Sequence, residues 1–354
     1  MRQGAMAFAL LLLGCTNAWA QGDEQSRTLG ELKARLYAPA TPEQKLREHL
    51  AQLEKQTGSA LADRRSKADD PLIALPQKPR TYWQTAQDLS EALKCRISLF
   101  EGNGPALIDG TPAKQQSVVL DGIVRISVRR WMVQRDEETG THVAAVTLDV
   151  AWEPGFEPFY LEVRPAHAKA EKATFDIAGQ GKESIAHRRA TEITLRMPAP
   201  PRSVRQIDVL EGELRILGPS KMLDFVFPDA SVAKSLTREG VTVGIKPGTR
   251  NRWAFDVAIQ NPPGGPVFES FQSWLDHNRI QLERTQAGKA ETWRPDPNAE
   301  ELVGMLTAEN AAIRYVFEGT QGKGTPRQWA LRYRTPGRMV ELPVRYRFTN
   351  LELP

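Results

Sequence analysis

Apolar residues recur at helical spacing near the start of the chain and at every second position through most of the rest, the change falling near Val118. Leu46, Leu50 and Leu53 lie three to four residues apart, behind a capping Thr41 and a first-turn Pro42, and Gly58 closes the run, so the spacing predicts a helix here. Trp83, Ala86, Leu89 and Leu93 predict a second helix, capped by Thr81 and preceded by an extended, proline-punctuated run from Asp70 to Pro76. Ile97 and Leu99 then alternate, Gly102-Asn-Gly104 supplies a turn and Ala106 to Ile108 returns, which reads as a hairpin. Upstream, Leu29, Leu32 and Leu36 share a helical face and Thr28 and Glu31 have capping-box spacing, a docking turn within a polar tether over residues 21–40.

From Val118 the period is two. Val124, Ile126 and Val128 alternate, then Trp131 and Val133, so one extra residue at Arg129-Arg130 predicts a β-bulge with both arginines facing solvent. Ala144, Val146, Leu148, Val150 and Trp152 form the returning strand, and further short strands follow to Phe227. Val241, Val243 and Ile245, then Trp253 to Ile259, repeat the sequence of events. The repeat extends to a Pro/Gly-rich segment at 262–266 that matches Glu153-Pro-Gly155. Phe268 to Leu275 fits either a helix or a strand. At the end, Thr335-Pro-Gly-Arg338 reads as a turn that sets Tyr333 against Val340, Leu331 against Leu342, Trp329 against Val344 and Arg332 against Glu341. The expected fold is α+β: a small α/β module over 41–112, then antiparallel, Ig-like β-sandwiches over 117–229 and 236–354.

Leu50-Ala-Gln-Leu-Glu-Lys-Gln-Thr-Gly58 and Leu89-Ser-Glu-Ala-Leu93 resemble the short N-terminal domain shared by secretins and TonB-dependent receptors. The charged run Asp63 to Asp70 departs from that plan, where the family carries a compact strand and turn. The tandem strand pattern downstream resembles β-sandwich proteins of the bacterial envelope. The resemblance implies protein contacts in that compartment.

Residues 1–20 have the layout of a secretory signal: basic Arg2, an apolar run from Ala5 to Leu13, then small residues. Two cuts are available. Ala18-Trp-Ala20 fits cleavage after Ala20, which leaves a periplasmic or secreted protein; Leu12-Leu-Gly-Cys15 approximates a lipoprotein box that would leave Cys15 as a lipid anchor. Cleavage after Ala20 is the expectation, and with the signal removed no transmembrane segment remains. Either cut takes Cys15 away from Cys95, so no internal disulfide is expected. The chain holds 47 basic and 43 acidic residues, interleaved, for a net charge of +4, which argues against a nucleic-acid partner. No Asn-x-Ser/Thr site occurs, which points to a bacterial source.

Local chemistry is sparse. His49, His142, His167, His187 and His277 show no i, i+3 or i+4 pairing, so no metal site is assigned; His49 is expected on a helix surface and Cys95 in a core. The pairs Asp69-Asp70 and Glu137-Glu138 sit in predicted turns, and Gly319 to Gly324 lacks phosphate-loop spacing. Most of the tryptophans (Trp83, Trp131, Trp152, Trp253, Trp274, Trp293, Trp329) fall on inward strand phases; Trp293, beside Arg294-Pro-Asp-Pro297, is the candidate for an exposed binding aromatic. No catalytic or cofactor residue is assigned. The sequence thus reads as a non-enzymatic, exported binding or scaffold component of the cell envelope with a protein or glycan partner. The alternative is a carbohydrate-binding or carbohydrate-active sandwich, which would show paired carboxylates beside exposed tryptophans rather than an open sheet edge.

Overall fold

The computed structural model describes residues 32–353 apart from positions 68, 101, 103, 136, 139, 172, 250, 263–276, 287, 305–306, 308–309 and 320–322. The signal segment with Cys15 and Ala20, the stretch Phe268 to Leu275 and Trp274 lie outside the described residues.

The N-terminal module runs β1 (Leu36–Tyr37), β2 (Glu43–Lys45), α1 (Leu46–Thr57), β3 (Ala62–Asp63), β4 (Leu72–Ala74), β5 (Arg80–Thr81), α2 (Tyr82–Ala92), β6 (Arg96–Ser98) and β7 (Ala106–Ile108). Gly58 closes α1 in the left-handed region, and Thr81 forms a capping box with Gln84 at the start of α2. The expected cap at Thr41 is not used: residues 43–45 pair with β4, so α1 begins later, at Leu46. The hairpin β6–β7 forms with Ile97 opposite Leu107, and β3 adds to β7 in parallel. His49 is fully buried, against the surface expectation. Its Nδ1 accepts from the Tyr37 hydroxyl at 2.6 Å and its Nε2 lies 3.1 Å from the Ile73 carbonyl, which satisfies both ring nitrogens inside the core. Cys95 is buried as expected.

This module does not stand alone. Its core of Leu46, Leu53, Trp83, Leu89 and Leu107 takes in Ala151 and Ala190 of the next unit, and the Trp83 indole N–H donates to the Ile123 carbonyl at 3.0 Å.

The first sandwich-like unit contains β8 (Val118–Asp121), β9 (Val124–Arg135), β10 (His142–Trp152), β11 (Tyr160–Val163), β12 (Ala166–Ala170), β13 (Ala173–Ile177), β14 (Gln180–Ser184), β15 (Ala190–Pro198) and β16 (Gln206–Pro219). The second contains β17 (Met222–Phe227), β18 (Lys234–Arg238), β19 (Val241–Pro247), β20 (Ala254–Gln260), β21 (Arg279–Gln286), β22 (Lys289–Trp293), β23 (Glu301–Leu302), β24 (Asn310–Val316) and β25 (Ala330–Pro336); the chain ends with β26 (Met339–Glu352). Each unit sets two antiparallel sheets across one apolar core. The expected bulge is present: the β9–β10 register shifts between Thr147 and Leu148, leaving Arg129 as the extra residue.

The two units share a plan. A meander of three strands is extended by one that arrives later, β8-β9-β10 by β15 and β18-β19-β20 by β24. In the facing sheets β16 lies beside β11 as β25 lies beside β21, with β14 and β22 outside them. β17, the opening strand of the second unit, flanks β25. Its counterpart beside β16 is β26, the last strand of the chain.

The expected hairpin of 329–344 is therefore not formed. Leu331 pairs with Phe227 in one sheet, whereas Leu342 pairs with Ile216 in another. Thr335-Pro-Gly-Arg338 is a crossing between units, not a turn. Segments 206–227 and 330–352 run antiparallel through the junction as one two-stranded ribbon, held there by Ser220 N–H to the Arg338 carbonyl at 2.7 Å and Gly337 N–H to the Lys221 carbonyl at 2.9 Å. The physical reason is the core: Val344, Tyr346, Phe348 and Leu351 of β26 close the first core, which a local hairpin would leave open to water. So β26, expected within the unit at 236–354, hydrogen-bonds into the first one.

Gly218 marks the tightest point of this junction. A Cβ there would sit 2.8 Å from Pro158 Cα and 3.1 Å from the Phe156 ring. Gly218→Val is expected to cost about 1–3 kcal/mol by overpacking, read as a lowered urea midpoint at unchanged slope. A neutral result would mean that 156–158 does not pack on the ribbon.

Candidate functional site

Trp293 is half-buried rather than exposed. It packs edge-on against Trp253 at 4.9 Å and Phe317 at 5.3 Å, with the Lys323 ammonium 5.5 Å from its ring centre. Its strand neighbour Glu291 is committed to Lys323 and to Arg284 at 2.7 Å, and these hydrogen bonds hold its carboxyl below the ordinary range. Trp83, Trp152, Trp253 and Trp329 are core residues. Among the described residues, no group of three His, Cys, Asp or Glu side chains could hold a metal ion.

The structure assembles something else at the junction. β14 and β15 are joined by residues 185–189, a turn pinned by Ile185 N–H to the Phe159 carbonyl at 2.8 Å and Arg188 N–H to the Ile185 carbonyl at 3.1 Å. His187 takes the left-handed conformation (φ 63°) that a β-carbon disfavours, and the turn presents His187, Arg188 and Arg189 to solvent in succession. From the second unit, His277 and Arg279 precede and open β21, and Arg334 lies near the end of β25, just before the crossing. Pro154, Phe156 and Glu157, from the segment between β10 and β11, line another part of the wall.

These parts meet. The Arg279 guanidinium donates to His187 Nδ1 at 2.8 Å, which leaves the proton of that neutral ring on Nε2. Arg334 donates to Glu157 at 2.6 Å. The His277 ring stacks on Phe159, centroids 3.4 Å apart at an interplanar angle of 11°, and lies 5.7 Å from the His187 ring. Burial, with His187 and Arg279 beside it, pulls the His277 pKa down to about 4. The result is a cleft of about 240 Å³ walled by Arg188, Arg189, Arg279 and Arg334, with Glu157 as its one carboxylate among the described residues and Pro105 of the N-terminal module in its lining. It opens past His187 to Arg189 into a hollow of about 610 Å³ floored by Leu99 and Phe100, and past Arg279 and Arg334 into another of about 820 Å³.

Two further features single out this place. Buried polar atoms without a partner lie on residues in or next to its wall: Arg334 Nε in the cleft, both amide atoms of Asn278 in the adjoining hollow, and Nδ1 of His277 beside Asn278 in sequence. Such atoms are normally satisfied by protein, water or a ligand. Arg189 and Arg279 form no ion pair among the described residues, whereas Arg188 is neutralised by Glu183 at 2.8 Å and Arg334 by Glu157. Sequence reasoning set aside both the histidines and the basic residues, because the contributors come from turns some 90 positions apart; the one local signal was the run His187-Arg-Arg189.

A second surface is the outer half of β9. Beyond Ser127 it pairs only with β10 among the described residues, leaving an open sheet edge beside exposed Met132 and Val133. No described helix is long and apolar enough to cross a membrane.

What fold and site define is a β-rich chain whose basic cleft is built jointly by three units. Comparison with protein-family models and with curated proteins finds no match for it.

Proposed function

We propose that the chain is an exported, non-catalytic binding component of the bacterial cell envelope that holds an acidic group of its partner in the junction cleft. The observation that carries this reading is the convergence of four guanidiniums from two units on a cleft lined, among the described residues, by one carboxylate, with unpartnered buried polar atoms on Arg334 in its wall and on Asn278 in the adjoining hollow. Guanidiniums presented in this way suit carboxylate and phosphate groups, and a cationic cleft steers an acidic partner towards it. The two sheet pairs are read as Ig-like mounts that hold functional turns rigidly at their ends. The open β9 edge adds a place for an extended segment of the same partner, and the signal-like leader supplies the compartment.

A fluorescent glutamate-rich peptide tests this. It is expected to bind the full mature chain with an affinity that falls as salt rises, and Arg189→Glu with Arg279→Glu is expected to weaken it by about tenfold or more at unchanged thermal midpoint. Equal binding by the double variant would overturn the reading.

A further inference from the structure

We infer that the acidic group seated in the cleft is a phosphate monoester, on a soluble sugar-type compound or a lipid headgroup, rather than a single carboxylate. This rests on the cleft being the acidic-partner site. Charge decides between the two anions. Of the four guanidiniums, those of Arg188 and Arg334 are already paired with Glu183 and Glu157, and those of Arg189 and Arg279 are without a carboxylate among the described residues. Two uncompensated cations match the charge of about −1.5 to −2 that a phosphate monoester carries at neutral pH, whereas one carboxylate leaves one of them unmatched.

The donors fit as well. Arg279 donates to His187 Nδ1, so the donor on His187 is its Nε2–H, and the remaining N–H groups of Arg279 and those of Arg189 stay available. Several N–H donors lining one cleft suit the three terminal oxygens of a phosphate better than the two of a carboxylate. Size agrees: about 240 Å³ falls below the range of roughly 300–1,000 Å³ for drug-sized ligands, so the cleft takes a headgroup while the rest of the molecule extends over Leu99 and Phe100.

The full mature chain is titrated with glycerol 3-phosphate, inorganic phosphate and acetate by calorimetry, and sedimented with phosphatidate or phosphatidylcholine vesicles. The expected result is saturable binding of a phosphate probe, no heat from acetate, and loss of about tenfold or more in affinity for each of Arg189→Gln and Arg279→Gln at unchanged thermal midpoint. Binding of the free compounds assigns a soluble monoester. Binding of phosphatidate vesicles alone, lost in the same variants, assigns a lipid headgroup. Acetate as effective as phosphate, or phosphate binding untouched by the variants, overturns the inference. If the glutamate-rich peptide binds through the two arginines and no phosphate probe does, the monoester fails and the cleft stands; if nothing binds there, both fail.

Discussion

A chain ending at Arg338 is expected to lose its first sandwich-like unit while keeping the second. β26 pairs with β16 from Pro219–Met339 to Gln206–Glu352 and buries Val344, Tyr346, Phe348 and Leu351 in the first core. Phe348→Ala alone is expected to cost about 3–5 kcal/mol, a large part of the roughly 5–15 kcal/mol that separates a native domain from its unfolded state. Removal of the whole strand exceeds that margin. The second unit keeps β17 against β25 and is complete without β26. Limited proteolysis read by mass spectrometry checks this: cuts are expected throughout 117–219 while 222–336 survives as a resistant fragment. A protease-resistant first unit in the truncated chain would refute the strand assignment.

Glu153→Gln is expected to stabilise the protein above neutral pH and to change the shape of its pH profile. Glu153 is 6% exposed, and one of its carboxyl oxygens has no partner. Burial pushes its pKa up from 4.5 to about 7, with Arg35 acting weakly in the other direction. Because the folded state prefers the protonated acid, the contribution of Glu153 is fully present below about pH 4.5 and is lost as pH rises through 7. A shift of that size corresponds to about 3–4 kcal/mol. His277 works in the opposite sense: its pKa falls from 6.5 to about 4, so its contribution is present above pH 6.5 and is lost as pH falls towards 4. Urea unfolding across pH 4 to 9 is therefore expected to show little net change from these two groups between about pH 4.5 and 6.5 in the wild type, where the falling contribution of Glu153 and the rising one of His277 offset each other. In Glu153→Gln the rise from His277 stands unopposed, so stability is expected to climb from pH 4 to about 6.5 and then stay level. A variant with the wild-type profile would show that Glu153 is not the buried acid responsible.

The parts of the fold that were legible from sequence are those fixed by neighbours. Thr81, Gly58 and the extra residue at Arg129 each act over a few positions, and each does what its local chemistry dictates. The destination of β26 was not legible. Alternation of apolar and polar residues says which face of a strand is buried but not which sheet receives it, and Thr335-Pro-Gly-Arg338 serves a crossing as readily as a turn. The double role of the ribbon is visible only in the structure, where β16 and β26 each run 14 residues, long for a strand of one small sandwich. His49 misled for a related reason, since only the fold brings Tyr37 and the Ile73 carbonyl to its two nitrogens. The cleft left only the run His187-Arg-Arg189 as a local trace, because its arginines are paired or left unpaired by contacts that no spacing encodes.

All of this depends on the turn at His187 meeting the start of β21 in the free protein. Thiols placed at His187→Cys and Arg279→Cys in a chain starting at Gln21 report it directly, since these side chains touch at 2.8 Å and the other cysteine of that chain, Cys95, is buried with its pKa raised by that burial. A short bifunctional thiol reagent is expected to join the two positions quickly and almost completely within one monomer. Two singly modified cysteines with no internal cross-link would contradict the junction and the site built on it.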